Sequence, residues 1–210
     1  MASMQELYLL GVVPSRRFEA VVNSLSKTLD GPKTILEFWV VYRPKDVPPN
    51  LPRQPDSWLR LCSNIESHDE TDTEWSKNTQ WSMYLEGNSE PKREDKCGIR
   101  PVNRAKLTNG SVTEFVEKMG YEFSHEYIIQ GLEYFFFDTT VRIYQTLIPS
   151  QQRSIKPPFH PMNEEQPWIL HVYTHVADAS NQVAMAKAEA NLTKVKTLLS
   201  AFCDLKNVRL

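Results

Sequence analysis

The sequence predicts an α+β protein: a many-stranded, mostly antiparallel sheet or barrel with helices at its ends or outer faces. Three observations lead there. About seven to nine short apolar or alternating segments follow one another in runs, without strict strand–helix alternation. About three stretches carry the helical period. Five Trp, eight Tyr and nine Phe supply aromatic bulk for a sheet core. Closing that sheet into a barrel would remove the exposed edges it would otherwise present.

Taken in order, residues 1–3 precede a second Met at position 4 and read as an appended remnant, leaving one domain over 4–210. Residues 5–13 form a short apolar strand. Ser15 is placed to cap a helix that runs to Leu29, with Phe18, Val21, Val22, Leu25 and Leu29 on one stripe. Asp30 and Gly31 then serve as its stop. Residues 34–42 are β-branched and aromatic, a buried strand. Pro44, Pro48, Pro49, Pro52 and Pro55 make 43–57 an extended loop, because proline cannot pair in a central strand. In 58–65, Leu59, Leu61, Ser63 and Ile65 alternate onto one side. An acidic stretch opens a loop over 66–80. Trp81, Met83 and Leu85 alternate again. A polar turn covers 87–98, and 98–107 carries a weaker strand signal.

Asn109 and Gly110 mark a turn. Ser111 with Glu114 three residues on makes a capping box for a helix bearing Phe115, Val116 and Met119 and closed by Gly120. Residues 126–137 and 139–148 read as two strands joined tightly near Asp138. A long Pro-bearing loop fills 149–167, and 168–176 is a strand. Residues 181–202 form a long amphipathic helix with Val183, Leu192, Val195, Leu198, Leu199 and Phe202 as its apolar contacts. Residues 207–210 add a last short strand.

Net charge is −2, without the basic stripe that phosphate neutralisation requires. No direct nucleic-acid contact is therefore expected. The nearest basic cluster, Arg100, Arg104 and Lys106, reads as a solvated strand or loop face. No secretory leader and no apolar run of about 20 residues is present, so no membrane contact is expected. Three widely spaced cysteines, Cys62, Cys97 and Cys203, suit a reducing compartment.

The search for chemistry returns little. Seven glycines build no phosphate loop, so no nucleotide cofactor is expected. There is no nucleophile elbow. His171 and His175 fall four apart on a strand, hence roughly 13 Å apart, too far to share a metal ion. They read as structural. Glu70, Asp72 and Glu74 behind His68 could line one face for a divalent cation, but read as a solvated acidic loop. The P-x-x-P patterns at 49–52 and 52–55 could meet an SH3 domain and read as loop. Cys62 and Cys97 read as small core residues. No catalytic, cofactor or metal site is expected.

One resemblance runs along nearly the whole chain from Met4. It is carried by Leu7-Tyr8-Leu9-Leu10-Gly11-Val12-Val13, by Arg100-Pro101-Val102, and by Glu114-Phe115-Val116-Glu117-Lys118-Met119-Gly120-Tyr121. The segment Tyr127-Ile128-Ile129-Gln130-Gly131-Leu132-Glu133-Tyr134-Phe135 follows, then Val141-Arg142-Ile143-Tyr144-Gln145 and the end of the last helix, Leu198 to Leu205. This pattern resembles the subunit 18 family of Mediator, the complex that links transcription activators to RNA polymerase II. The resemblance implies a many-stranded antiparallel β-barrel with flanking α-helices, in agreement with the strand count. It also implies a nuclear, non-enzymatic scaffold in the Mediator head module. The partners implied are Mediator subunit 20, a C-terminal helix of Mediator subunit 8, the rest of the head, and RNA polymerase II.

The implied barrel is also similar to tunnel-type RNA triphosphatases, whose Glu-x-Glu-x-Lys strand holds a metal. That pattern is absent here: the nearest run, Glu70-x-Asp72-x-Glu74, continues to Ser76. For partner contacts, Trp75 stands out in a polar context. In the consecutive run Tyr134, Phe135, Phe136 and Phe137 a strand must point some rings outward, unless both faces are covered. Trp75, Tyr134, Phe135 and Phe137 are therefore the candidate partner-binding residues.

Overall fold

The computed structural model describes residues 2–45, 58–65, 79–89, 96–108, 110–162 and 165–208. Its strands are β1 Ala2–Val13, β2 Asp30–Pro44, β3 Leu59–Asn64, β4 Trp81–Glu86, β5 Gly98–Leu107, β6 Tyr121–Phe136, β7 Thr139–Pro149, β8 Phe159–Pro161 and β9 Trp168–Val176. Its helices are α1 Phe18–Thr28, α2 Val112–Lys118 and α3 Gln182–Leu199, with a 3-10 turn over Ser15–Arg17 before α1. The strands lie in the order β6-β2-β3-β4-β5-β1-β9-β7-β8, and β6 also pairs with β7. That extra pairing closes an eight-stranded ring, and β8 hangs on the end of β7. Every ladder is antiparallel. The barrel expected from the resemblance is thus the fold.

Closure bends the long strands. β2 and β6 pair from Asp30↔Phe135 to Pro44↔Tyr121 with register shifts at Asp30/Lys33 and Val41/Tyr42, the irregularities that let a strand curl. At Gly131 the backbones of β6 and β7 come so close that a Cβ would sit 2.1 Å from the Ile143 carbonyl oxygen. Only glycine fits there.

The hydrophobic core lies outside the ring. Leu7, Leu9, Tyr134, Val141, Ile143, Leu170 and Val172 point outward and pack under α1 and α3, which contribute Val21, Leu25, Leu192, Val195 and Leu199. On another outer face Phe38, Leu59, Leu61, Trp81, Met83 and Ile128 pack with Val112 and Val116 of α2. Each such side chain taken from water contributes about 1.5–3 kcal/mol. Among the described residues a small apolar group, Ile35, Trp39, Cys62 and Ile129, packs elsewhere.

Several boundaries differ from the sequence expectation. The strand β1 does not stop at Met4: Ala2 and Ser3 continue the ladder opposite Arg104 and Asn103. Ser15 caps no helix. Its hydroxyl donates to the Gln166 carbonyl at 2.9 Å, and Phe18 stacks on Trp168 with centroids 3.8 Å apart, so tertiary contacts set where α1 begins. Asp30 and Gly31 belong to β2, and α1 ends as Leu29 turns extended. Ser111 caps α2, the Glu114 amide donating to its hydroxyl at 3.4 Å, which is the serine half of the expected capping box. Yet α2 buries Val112 and Val116 while Phe115 and Met119 stay exposed. In α3, Asn181 caps the first turn. Val183, expected among the apolar contacts, is 81% exposed. Of the strand expected over 207–210, the described residues Asn207 and Val208 form none, and Lys206 makes a single bridge with Leu10. Among the described residues no helix is long and apolar enough to cross a membrane.

Candidate functional site

All eight ring strands line a cavity of about 460 Å³ inside the barrel. Strand alternation explains its chemistry. With Leu7 and Leu9 outward, Glu6 points in; with Leu59 and Leu61 outward, Arg60 points in; with Val141 and Ile143 outward, Arg142 points in. β9 likewise turns His171, Tyr173 and His175 inward.

The buried charges are paired in two sets. In the first, Arg100 reaches Glu6 at 2.6 Å and Glu86 at 2.7 Å, and Arg60 also pairs with Glu86. His175 Nε2 lies 3.1 Å from the other oxygen of Glu6. In the second, Arg142 holds Glu133 at 2.5 Å and Glu37 at 3.1 Å, and the Trp39 indole donates to Glu37 at 3.0 Å. Charges this buried persist only when paired and hydrogen-bonded. Burial alone would raise Glu6, but the His175 hydrogen bond and the charges of Arg100 and the two histidines bring its pKa down to about 2. Burial would lower Arg142, but Tyr173, Glu37 and Glu133 outweigh it and raise its pKa. Burial depresses His171 to about 4 against the pull of Glu6. The phenols are held protonated: burial raises Tyr144 and Tyr173 to about 12, and raises Tyr84 and Tyr127 as well.

The four candidate partner-binding residues fall in different places. Trp75 lies outside the described residues, as do the acidic run Glu70, Asp72 and Glu74 with His68 and the two P-x-x-P patterns. Tyr134 is fully buried in the outer core, its hydroxyl 3.1 Å from that of Ser26, so it presents no surface. Phe135 is 39% and Phe137 76% exposed. Phe137 sits in the turn between β6 and β7 at φ 52°, a backbone region that disfavours bulky residues. The turn is pinned by Thr174, whose hydroxyl donates to the Asp138 carbonyl at 2.7 Å, and by the Lys187–Asp138 contact of 2.6 Å.

His171 and His175 share a strand face, as expected; His175 meets Glu6, while the buried Nε2 of His171 has no hydrogen-bond partner. Cys62 is buried against the lumen and Cys97 packs on the outer core. Of the cluster expected to be a solvated face, Arg100 is buried in the ion network, while Arg104 and Lys106 are exposed, and all three line the lumen. Sequence reasoning missed Glu6, Glu37, Arg60 and Arg142. Their signal was present: one charged residue flanked by apolar neighbours within a strand, as in Val141-Arg142-Ile143. Among the described residues no group of three His, Cys, Asp or Glu is arranged to hold a metal ion.

Comparison with known proteins places this geometry. A family model described as Med18 protein matches residues 5–208. A chain of the Schizosaccharomyces pombe Mediator head module is 97% identical, covering 99% of this chain and 100% of that one, with a TM-score of 0.92. Mediator of RNA polymerase II transcription subunit 18 from Yarrowia lipolytica is 23% identical over 97% of this chain and 95% of its own. The Mimivirus capping enzyme triphosphatase shares the fold at a TM-score of 0.52 and 10% identity, over 95% of this chain and 90% of that one.

Proposed function

The chain belongs to the Med18 protein family, and we propose that it acts as a non-enzymatic scaffold subunit of the Mediator head module, coupling transcription regulators to RNA polymerase II through protein contacts. The observation that carries this reading is the 97% identity to a chain of the fission yeast head module over its whole length. The subunit works by position: a barrel made rigid by closure holds neighbouring subunits in fixed geometry and turns nothing over.

In this proposal the chain pairs with Mediator subunit 20, receives a C-terminal helix of Mediator subunit 8, sits with the rest of the head against RNA polymerase II, and works in the nucleus. Of the four candidate contact residues, Phe135 and Phe137 are the two that the described surface exposes. Large aromatics held outward are the side chains that concentrate binding energy. The lumen supports a non-catalytic role, because Glu6, Glu37 and Glu86 are each committed to an arginine and not left to ligate a cation. The shared barrel of the viral triphosphatase bears on fold alone.

Coexpression tests the reading. The chain is expected to elute with subunits 20 and 8 as one stoichiometric complex at micromolar concentration. A chain that stays monomeric beside both overturns the scaffold assignment. Manganese-dependent hydrolysis of nucleoside triphosphate by the pure chain would overturn the non-enzymatic one.

A further inference from the structure

The scaffold role leaves the lumen unused, and the lumen's charge is not balanced at one end. Arg100, Arg104 and Lys106 project from the same face of β5, with about 7 Å between successive side chains two residues apart. Arg100 is consumed by Glu6 and Glu86. Arg104 and Lys106 have no carboxylate partner among the described residues. Arg104 makes only a 3.4 Å contact to the Ser82 hydroxyl and lies 5.1 Å over the Tyr84 ring. Both cations are exposed at the cavity's mouth. Deeper in the same cavity, His171 carries a buried Nε2 with no hydrogen-bond partner. Tyr127, Tyr144 and Tyr173 line the cavity too, and burial keeps their phenols protonated.

We propose that the lumen binds a small, free, multiply charged phosphate compound, gripped at the mouth by Arg104 and Lys106 and met inside by His171 and the tyrosine hydroxyls. Two cations about 7 Å apart on one strand suit a ligand with charge on adjacent phosphoryl groups. Arginine and phenol donors match oxyanion acceptors. A polar recess of this size, walled by low-dielectric protein, concentrates anions at its mouth. Because the lumen carboxylates are tied to arginines, the ligand binds without a divalent cation and is not turned over.

The test is calorimetric titration of the full chain with pyrophosphate, with EDTA present, at about 0.05 M and about 0.15 M salt. Micromolar binding is expected, weaker at the higher salt and indifferent to EDTA. The double variant R104Q/K106Q should weaken it by at least roughly tenfold, with its ligand-free melting midpoint within about 2 °C of the parent. Lys27→Gln, on the exposed face of α1, should leave binding unchanged. The His171 ring resonances should move on addition, which places the ligand inside. Absence of binding overturns the proposal. So does equal loss in Lys27→Gln, a static His171 signal, or citrate binding as tightly as pyrophosphate. None of these outcomes bears on assembly with Mediator subunits, so the two readings fail separately.

Discussion

The outer and inner faces of this barrel are made from the same eight strands with opposite chemistry. Outside, Leu7, Ile143, Leu170 and Val172 meet Leu192, Val195 and Leu199 of α3 in a packed apolar layer. Inside, the residues between them, Glu6, Arg142, His171 and Tyr173, face a polar cavity. The difference teaches where the stability resides. Burial against helices holds the ring from without, which frees the lumen from any duty to pack and lets it carry charge, provided the charges are paired. The helices are therefore core elements, although they look peripheral.

The largest effects should come from breaking either face, and the two breaks should differ in how they are rescued. Arg142→Ala leaves Glu37 and Glu133 in the lumen without their arginine and is expected to cost about 4 kcal/mol in urea unfolding. Adding Glu37→Gln and Glu133→Gln should return most of that loss, because the cost is an uncompensated charge. Leu199→Ala, at 0% exposure in the outer layer, is expected to cost about 3 kcal/mol. No polar substitution should rescue it, because the cost is a cavity. If Arg142→Ala is neutral, the paired-lumen account fails.

Much of this architecture was legible from the period of the sequence, and the failures share a cause. The strand over 168–176, the alternation of Leu59, Leu61, Ser63 and Ile65, and the cap at Ser111 all rest on local chemistry, and local chemistry is what a sequence displays. What alternation cannot say is which side is inside. Both faces of β5 carry polar residues, so Arg100, Arg104 and Lys106 read as a solvated face; closure of the ring buries Arg100 in the lumen and leaves Arg104 and Lys106 exposed at its mouth. Val183 and Met119 satisfy the helical stripe but extend past what the sheet covers, so both remain exposed. Ser15 is a good cap by type, yet Gln166 and Trp168 across the fold decide what it does.

A smaller effect comes from pH, and its largest part arises in the lumen. His171 is depressed from 6.5 to about 4 in the fold. Between those values the unfolded chain binds a proton that the folded chain refuses, so stability present above pH 6.5 is lost as pH falls toward 4. Glu6, depressed from 4.5 to about 2, adds a second loss as pH falls through that lower window. Each contributes on the order of 2–3 kcal/mol. His171→Phe should flatten the melting profile between pH 6.5 and 4 and narrow the lower window without abolishing it, because His175 and Arg100 still hold Glu6 down. A profile unchanged by that substitution would separate His171 from the acid sensitivity.

The smallest expected change in stability has the opposite sign. Phe137 holds φ 52° at the tip of the β6–β7 hairpin with 76% of its surface exposed. Its one ring neighbour in the turn is Phe136, 4.8 Å away. Left-handed backbone costs a bulky residue roughly 1–2 kcal/mol, while asparagine tolerates it. Phe137→Asn is therefore expected to stabilise the isolated chain by about 1 kcal/mol. If the exposed ring is a partner contact, the same variant should lose affinity for the subunit 20 and subunit 8 complex by roughly tenfold, the scale of a modest interface anchor. A gain in both stability and assembly would remove Phe137 from the binding surface, leaving Phe135 as the hairpin's remaining outward candidate.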